Sequence, residues 1–407
     1  MSEIYDAAVI GAGASGLAFS CLACEKGIKV ALIEKNHKIG RKLLSTGAGK
    51  CNITNKKISV SDYICGDEEK LKSIFKKTPH EEVVKFIEEF LGIILTEKEE
   101  GRLYPYSMRA ETAVFAFERL LKKFNTNIFL LKKAVSIKKI NGIFEILCED
   151  QDFPGSFKKT KKDISAIKAK NIILACGGPS YPRIGATEEG FSLVKSFGHS
   201  VLPLNPILTS FSVKYPNLSS LDGVRVRGKI LSDKAEYSGE ILFTSYGISG
   251  DAGIDFSFDY IKNKTDSLIL DLMPDKTVKE ISERFSKIKG HISDVLSCSL
   301  DKKLAAFILR NAQISLCSEN NRKVSIKAAE HIKNLKISGI SPMGFDYAMS
   351  KTGGVPLNEI TENFNSLKEK KLYITGELLD CGGRSGGYNL HFAFTSAIAA
   401  AKHILTV

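Results

Sequence analysis

Six residues near the start of the chain, Gly11, Ala12, Gly13, Ala14, Ser15 and Gly16, read GAGASG. This glycine spacing suits a turn that brings the backbone against a pyrophosphate. Gly11 permits the tight bend, Gly13 leaves room for the phosphates, and Gly16 lets a helix lie close on a strand. A helix beginning at Ala14 and Ser15 would offer unpaired N–H groups and its positive dipole end to the same anion. Glu34, followed by Lys35, stands where an acid would accept hydrogen bonds from ribose hydroxyls. The chemistry these types and spacings describe is dinucleotide binding.

The elements around them fit that task. Residues 4–10, IYDAAVI, form an apolar strand-like run. LAFSCLACEKG follows as a helical pattern stopped by Gly27, and KVALIEK is a second strand carrying Glu34. The stretch 37–55, HKIGRKLLSTGAGKCNITN, is a basic, glycine-rich loop. Residues 171–180, NIILACGGPS, read as a buried strand ending in a double glycine, with Ala175, Cys176 and Gly177 at its turn. Near the end, LYITGELLD is a strand with Gly376 ahead of Glu377 and Asp380. GGRSGGYN and an alanine-rich helix from Phe392 to Ile404 complete a second strand–loop–helix unit. It lacks GxGxxG spacing, but its helix start could aim N–H groups at an electron-rich ring. An N-terminal GxGxxG, a mid-chain small-residue turn and a C-terminal strand–loop–helix occur in that order in many FAD enzymes. The expected cofactor is therefore FAD.

The chain has 407 residues, with 43% hydrophobic and 26% charged. That composition describes a globular protein of more than one domain. No apolar run approaches the roughly 20 residues of a membrane span, and no signal peptide is read at the start. We expect a cytoplasmic protein without a membrane partner. The nine cysteines are an odd number without framework spacing, which argues against structural disulfides. Cys21 and Cys24 form a CxxC inside the first helix, where two small packing residues are expected rather than a redox pair. No paired CxxC or histidine cluster suggests a metal. The net charge is +12, with lysine clusters that include KKTKK at 158–162. We read these as a solvated basic surface, not as a nucleic-acid interface.

The expected fold class is α/β: an FAD-binding Rossmann-like domain of the two-dinucleotide-binding-domain flavoprotein type with an inserted domain. Residues 1–194 form its first part and 342–407 its C-terminal part. Between them, 195–341 is the insert, an antiparallel β-barrel over 195–265 and 321–341 with a helical part over 270–320.

The motifs GRKLLSTGAGKCNITN, GRLYP, LACGGPSYPRIGATEEG, GEILFTSYGISG, KTGGV and GELLDCGGRSGGYN together resemble a bacterial flavoprotein family. That family is related to aminoacetone oxidase and to BaiN-type bile-acid reductase. The resemblance covers essentially the whole chain. It implies that Arg41 and Lys42 lie beside the cofactor's phosphate and ribose. It also implies that Gly47, Ala48, Gly49, Cys51 and Asn52 line the isoalloxazine, and that Val135 meets the adenine. Glu377 and Asp380 would hold the ribityl and pyrophosphate region. Gly386, Gly387, Tyr388 and Asn389 would give N–H groups to the flavin near O2. Three motifs depart from the family pattern: Lys50 replaces Arg in GAGKCN, Cys381 and Gly382 replace Val and Asp in LDCGG, and Ser245 and Asp251 replace His and Pro in TSYGISGD.

FAD would carry hydride chemistry at N5 while the protein tunes it. Tyr104, Tyr181, Tyr246 and Tyr388 are candidate proton donors. Cys51 is a candidate thiol, with plain packing as its alternative. No second GxGxxG is present, so NAD(P)H is expected as a transient co-substrate docking from the insert side. The leading expectation is an NAD(P)H-linked FAD oxidoreductase acting on a small organic substrate. An oxidase of an amine or amino ketone, an FAD-dependent RNA-modifying enzyme and a non-catalytic flavin sensor stay open. The oligomeric state is not set by the sequence.

Overall fold

The structure, a computed structural model, describes residues 3–155, 163–232, 235–263, 265 and 267–406. The basic run at 158–162 lies outside the described residues. The chain divides into one unit made of Met1–Asn205 and Ser350–Val407, and a second made of Pro206–Met349.

The first unit is built on a sheet whose order is Asn127–Phe129, Val30–Ile33, Ile4–Ile10, Ile164–Leu174, Ile143–Asp150 and Lys132–Ile140. Strands Ile4–Ile10, Val30–Ile33 and the end of Ile164–Leu174 are near-continuous apolar runs, as expected for parallel strands covered on both faces. Ile164–Leu174 is long enough to serve two partners along one edge. Its first half pairs antiparallel with Ile143–Asp150, and its last three residues pair parallel with Leu372–Ile374. The C-terminal strand is thereby placed beside the mid-chain glycine turn. The Lys132–Ile140 and Ile143–Asp150 hairpin closes through Asn141 and Gly142, at φ 50° and 82°. Both left-handed positions are what a two-residue turn between twisted strands requires. Helices Ala14–Glu25 and Tyr388–Ile404 pack against each other over the sheet. Fully buried Ala18, Cys21, Ala397 and Ala400 keep that contact thin.

The second unit is an antiparallel sheet with helices. Its strand order is Leu335–Ser338, Ser267–Asp271, Arg225–Leu231, Glu236–Thr244, Gly247–Ser249, Phe211–Val213 and Ile340–Pro342. Phe211, Phe243, Phe256 and Phe307 are buried at its core.

Two expectations need correction. Part of 321–341 was expected as strand, yet Arg322–Lys333 is a helix. Asn321 caps it by accepting from the Val324 N–H at 3.0 Å. Ser325, Ala328, Ala329 and Ile332 form its buried stripe at helical spacing. The exchanges between units also fall later than the expected 194/195 and 341/342, at 205/206 and 349/350. Residues up to Asn205 stay with the first unit because their contacts are there. A Cβ on Gly353 would lie 2.0 Å from the Pro203 carbonyl oxygen, and the His199 ring bonds Glu359 and Ser366 at 2.6 and 2.7 Å. Residues 343–349 belong to the second unit, where Met343 and Met349 donate to Ser210 and Leu208. No helix among the described residues is long and apolar enough to cross a membrane.

Candidate cofactor site

The first glycine turn sits where strands Ile4–Ile10 and Ile164–Leu174 end side by side. Gly11 has φ 106°, and a Cβ there would stand 2.4 Å from the Ala175 carbonyl oxygen. A Cβ on Gly16 would stand 1.9 Å from the Gly11 carbonyl oxygen, so the helix can approach the turn only as glycine. A Cβ on Gly13 would meet nothing within 4 Å, which leaves the helix start open. No side chain caps the helix at Gly13, so the first N–H groups, at Ala14, Ser15 and Gly16, are left to an external acceptor.

Glu34 is buried at the end of its strand and held from both sides. It accepts from the Ala12 N–H at 2.8 Å, and from the Asn36 backbone and side-chain amides at 2.8 and 2.7 Å. Arg41 donates to the Asn36 side-chain oxygen at 2.9 Å. These residues line a cleft with Gly11, Gly13, Ala175, Cys176 and Gly177. Lys35 closes one wall through Thr187 and Glu189, and Lys133 pairs with the same Glu189. Burial works against ionisation of Glu189, but Lys133 and Lys35 outweigh it and hold the carboxyl at about 2.

Val135 is the extra residue of a β-bulge: the ladder steps from Ala134 opposite Cys148 to Ser136 opposite Leu147. Its side chain is exposed, while Lys133 and Ala134 line the cleft. What the bulge frees at Val135 is backbone, since an unpaired residue leaves the ladder.

The remaining expected residues form a second cluster joined to this cleft. Lys42 lines the cleft and donates to Glu377 at 2.6 Å. Glu377 also accepts from the Gly178 N–H at 3.3 Å. A Cβ on Gly376 would lie 2.7 Å from the Ser15 hydroxyl, so the C-terminal turn reaches the start of the first helix. Gly47, Ala48, Gly49 and Cys51 all have positive φ, of 56°, 52°, 83° and 59°. Ala48 and Cys51 hold this conformation at a cost of about 1–3 kcal/mol each, a pattern that concentrates where backbone is shaped for a ligand.

This loop closes on the end of the chain. Asn55 donates to the Gly386 carbonyl at 3.0 Å. Asn52, in the amide orientation that satisfies both its ends, donates to Thr54 and accepts from the Gly387 N–H at 3.3 Å. A Cβ on Gly387, at φ 98°, would lie 2.4 Å from the Thr54 carbonyl oxygen. Gly387 leads into helix Tyr388–Ile404 with no side-chain cap, so a second set of helix N–H groups is open. Asn389 braces that start by accepting from Gly383 and Ser350, both at 2.9 Å. Asp380 accepts from the N–H groups of Gly353 and Gly66, at 2.8 and 2.9 Å.

The candidate chemical residues separate under this geometry. Tyr104 lies against the 47–52 loop, with its ring 3.6 Å from a Cβ built on Gly47. Tyr181 is left-handed at φ 65°, and burial raises its hydroxyl pKa. Burial pushes Tyr388 up to about 12, with Asp62 adding to it. Tyr246 lies in the second unit, edge-on to Tyr347. The reactive-thiol reading of Cys51 does not hold: it is fully buried, and burial pushes its thiol up to about 12, against the hydrogen bond from Thr46. A protonated thiol in that setting packs and does not attack. Cys176 is likewise held at about 12 by burial and donates to the Ile10 carbonyl at 3.4 Å. Cys21 and Cys24 are raised by burial too, as packing residues are.

Sequence reasoning missed Lys351, which is fully buried and donates to the carbonyls of Gly353 and Leu379. Burial lowers it to about 8, although Glu377 and Asp380 pull the other way. It stands in the KTGGV motif, and a lysine inside a buried glycine strand was the available signal. The Ser180 hydroxyl was missed as well; it is buried with no hydrogen-bond partner.

Two uncapped helix starts, an open Gly13 and a fixed acid form a site whose polar groups suit an extended dinucleotide. The fold and this site define a Rossmann protein of the kind found in FAD-dependent oxidoreductases. The HI0933-like protein Rossmann domain matches residues 5–403, and the chain belongs to that family. It is 28% identical to a 3-dehydro-bile acid delta(4,6)-reductase of Clostridium scindens, covering 97% of each chain. It is 30% identical to a ribosomal RNA dihydrouridine synthase of Haemophilus influenzae, covering 99% of each. Among solved structures, a flavocytochrome c3 fumarate reductase in its open conformation shares the fold, with TM-score 0.52 at 16% identity. That match covers 99% of this chain and 79% of the other.

Proposed function

We propose that this protein holds FAD and uses NAD(P)H to reduce a carbon–carbon double bond conjugated to a carbonyl in a small organic substrate. The observation that carries the reading is the closure of the 47–55 loop on Gly386 and Gly387 beside the Lys42–Glu377 pair, which joins the first glycine turn to the last. FAD, when bound, would accept and deliver a hydride. The chain's own part is to bind and tune. The helix start at Gly13 would neutralise the pyrophosphate, and Glu34 would orient the ribose. The open N–H groups at Tyr388 would stabilise negative charge on the reduced ring. Saturating the bond also needs a proton at the second carbon, and Tyr181 and Tyr388, kept protonated by burial, are the donors to test.

The printed names of the relatives share one reaction type. A delta(4,6)-reductase of a 3-keto compound and a dihydrouridine synthase each saturate a double bond conjugated to a carbonyl. This is the ground for naming the bond rather than the molecule. Nine free cysteines suit a reducing compartment, and we place the enzyme in the cytoplasm.

Anaerobic mixing with NADH and with NADPH, followed at the flavin absorbance band, tests the reading. Bleaching with one of them, reversed by a 3-keto-4-ene steroid or another enone, is expected. A protein that takes up no FAD would sink the cofactor assignment. A yellow protein that neither nucleotide bleaches would point to an amine oxidase or a sensor.

An RNA substrate is the second reading, favoured by the dihydrouridine synthase relative and the net charge of +12. It requires binding to ribosomal RNA fragments that weakens steeply between about 50 and 200 mM salt. Salt-independent or absent binding removes it.

A further inference from the structure

The LDCGG loop, where Cys381 replaces the family's valine, carries a feature outside the cofactor chemistry. Residues Gly382 and Gly383 pair antiparallel with Ile64 and Tyr63. The ladder ends there, and continuing its register by one residue would set Cys381 opposite Cys65. One step further, the Gly66 N–H donates to the Asp380 carboxylate at 2.9 Å, so contacts in the same register flank the cysteine pair on both sides. Directly opposed residues in an antiparallel pair have Cα atoms about 4.5–5.5 Å apart and side chains on the same face. A disulfide needs a Cα separation of about 4.4–6.8 Å. Cys65 is the partly exposed member, and Cys381 is buried behind it. Both are free thiols. After burial, the Cys65 charge is the next cause that holds Cys381 above its ordinary range, which places the two sulfurs within electrostatic reach.

We propose that Cys65 and Cys381 are an oxidation site that closes to a cross-strand disulfide under hydrogen peroxide. The more accessible Cys65 attacks the peroxide as thiolate, forming an S–O bond, breaking the O–O bond and releasing hydroxide, which takes up a proton to become water. Cys381 then attacks the Cys65 sulfur, the S–O bond breaks, and a second water leaves. Two thiols and one peroxide become one disulfide and two waters, and the sulfurs lose two electrons in total. Burial raises Cys65 to about 11, so the reaction is slow at neutral pH and quickens as pH rises. The bond would staple strand Tyr63–Ile64 to the loop that carries Asp380.

Other thiols set the controls. Cys298 and Cys317 are exposed and would react first with peroxide or with other molecules. Cys51 is buried, whereas Cys176 is partly exposed like Cys65 and is the thiol whose labelling must be followed beside it.

The test uses the full-length FAD-loaded protein carrying Cys298→Ser and Cys317→Ser. The protein is reduced, freed of reductant, treated with hydrogen peroxide at pH 8.5, denatured and alkylated with N-ethylmaleimide. Intact mass is expected to fall by two hydrogens, with two alkylation sites lost. Non-reducing peptide mapping should recover the peptide of Cys65 joined to that of Cys381, and reductant should abolish it. Cys65→Ser or Cys381→Val should each remove that linked peptide. If either variant fails to fold, the map of the parent protein decides alone. Full alkylation of both cysteines, their separate oxidation to sulfinic acid, or a bond from either to a third cysteine would overturn the proposal. None of these readouts depends on turnover.

Discussion

Glu34 shows why a single carboxylate does two jobs. It is expected to meet a ribose, and it also accepts the Ala12 N–H at 2.8 Å inside the phosphate-binding turn. Glu34→Ala therefore removes a hydrogen bond to a charged group, worth about 1.5–3 kcal/mol, and loosens the turn as well. FAD affinity should fall about tenfold to hundredfold by fluorescence titration, while far-ultraviolet circular dichroism is unchanged. His391 is buried, with its Nδ1 2.9 Å from the Thr54 hydroxyl and its ring stacked on His80. Burial, helped by the His80 charge, pulls it down to about 3. A folded-state pKa below the unfolded value of about 6.5 means the unfolded chain binds the proton more tightly. Its contribution to stability is full above pH 6.5 and is lost as the pH falls towards 3. Glu189 and Glu359, both at about 2, join only below their ordinary value of 4.5. His391→Gln should therefore flatten the loss of thermal stability between about pH 6.5 and 4.5. Cys51 should resist N-ethylmaleimide in the folded protein while Cys298 and Cys317 label readily; fast labelling of Cys51 would contradict its burial.

At the scale of elements, turns decide more than strands or helices do. Gly387 joins the last loop to the last helix at φ 98°, against the Thr54 carbonyl. Gly387→Ala would force a Cβ to within 2.4 Å of that oxygen and strain the backbone. We expect a loss of at least about 1–3 kcal/mol in chemical denaturation, together with weaker FAD retention. Gly13→Ala is the contrasting case, because nothing folded lies within 4 Å of its Cβ. It should leave the unfolding free energy of the FAD-free protein within about 0.5 kcal/mol of the parent and reduce FAD binding alone. Helix Arg322–Lys333 was readable from the 325, 328, 329, 332 stripe and the Asn321 cap, and was hidden by the β-rich texture around it. The Val135 bulge had no sequence signal, since an extra residue in a ladder shows only once its partner strand is known.

At the scale of the whole molecule, a cofactor held by both ends of the first unit would tie Met1–Asn205 to Ser350–Val407. A ligand present at about 100 times its dissociation constant adds about 2.7 kcal/mol to the folded state. FAD loading should raise the melting temperature by roughly 5–10 °C, and Glu34→Ala should lose most of that gain.

The sequence by itself determined the βαβ dinucleotide turn, the Glu34 acid, the second glycine unit near the end and the interruption between them. These are local matters: spacing, propensity and the need for glycine at a tight bend are written in neighbouring residues. Tertiary structure alone decided that Asn55 meets Gly386, that Lys42 pairs with Glu377, that Lys351 is buried and that Tyr63–Ile64 pairs with Gly382–Gly383. Each of these depends on which strand edges meet, and that depends on how the apolar faces of distant segments bury one another.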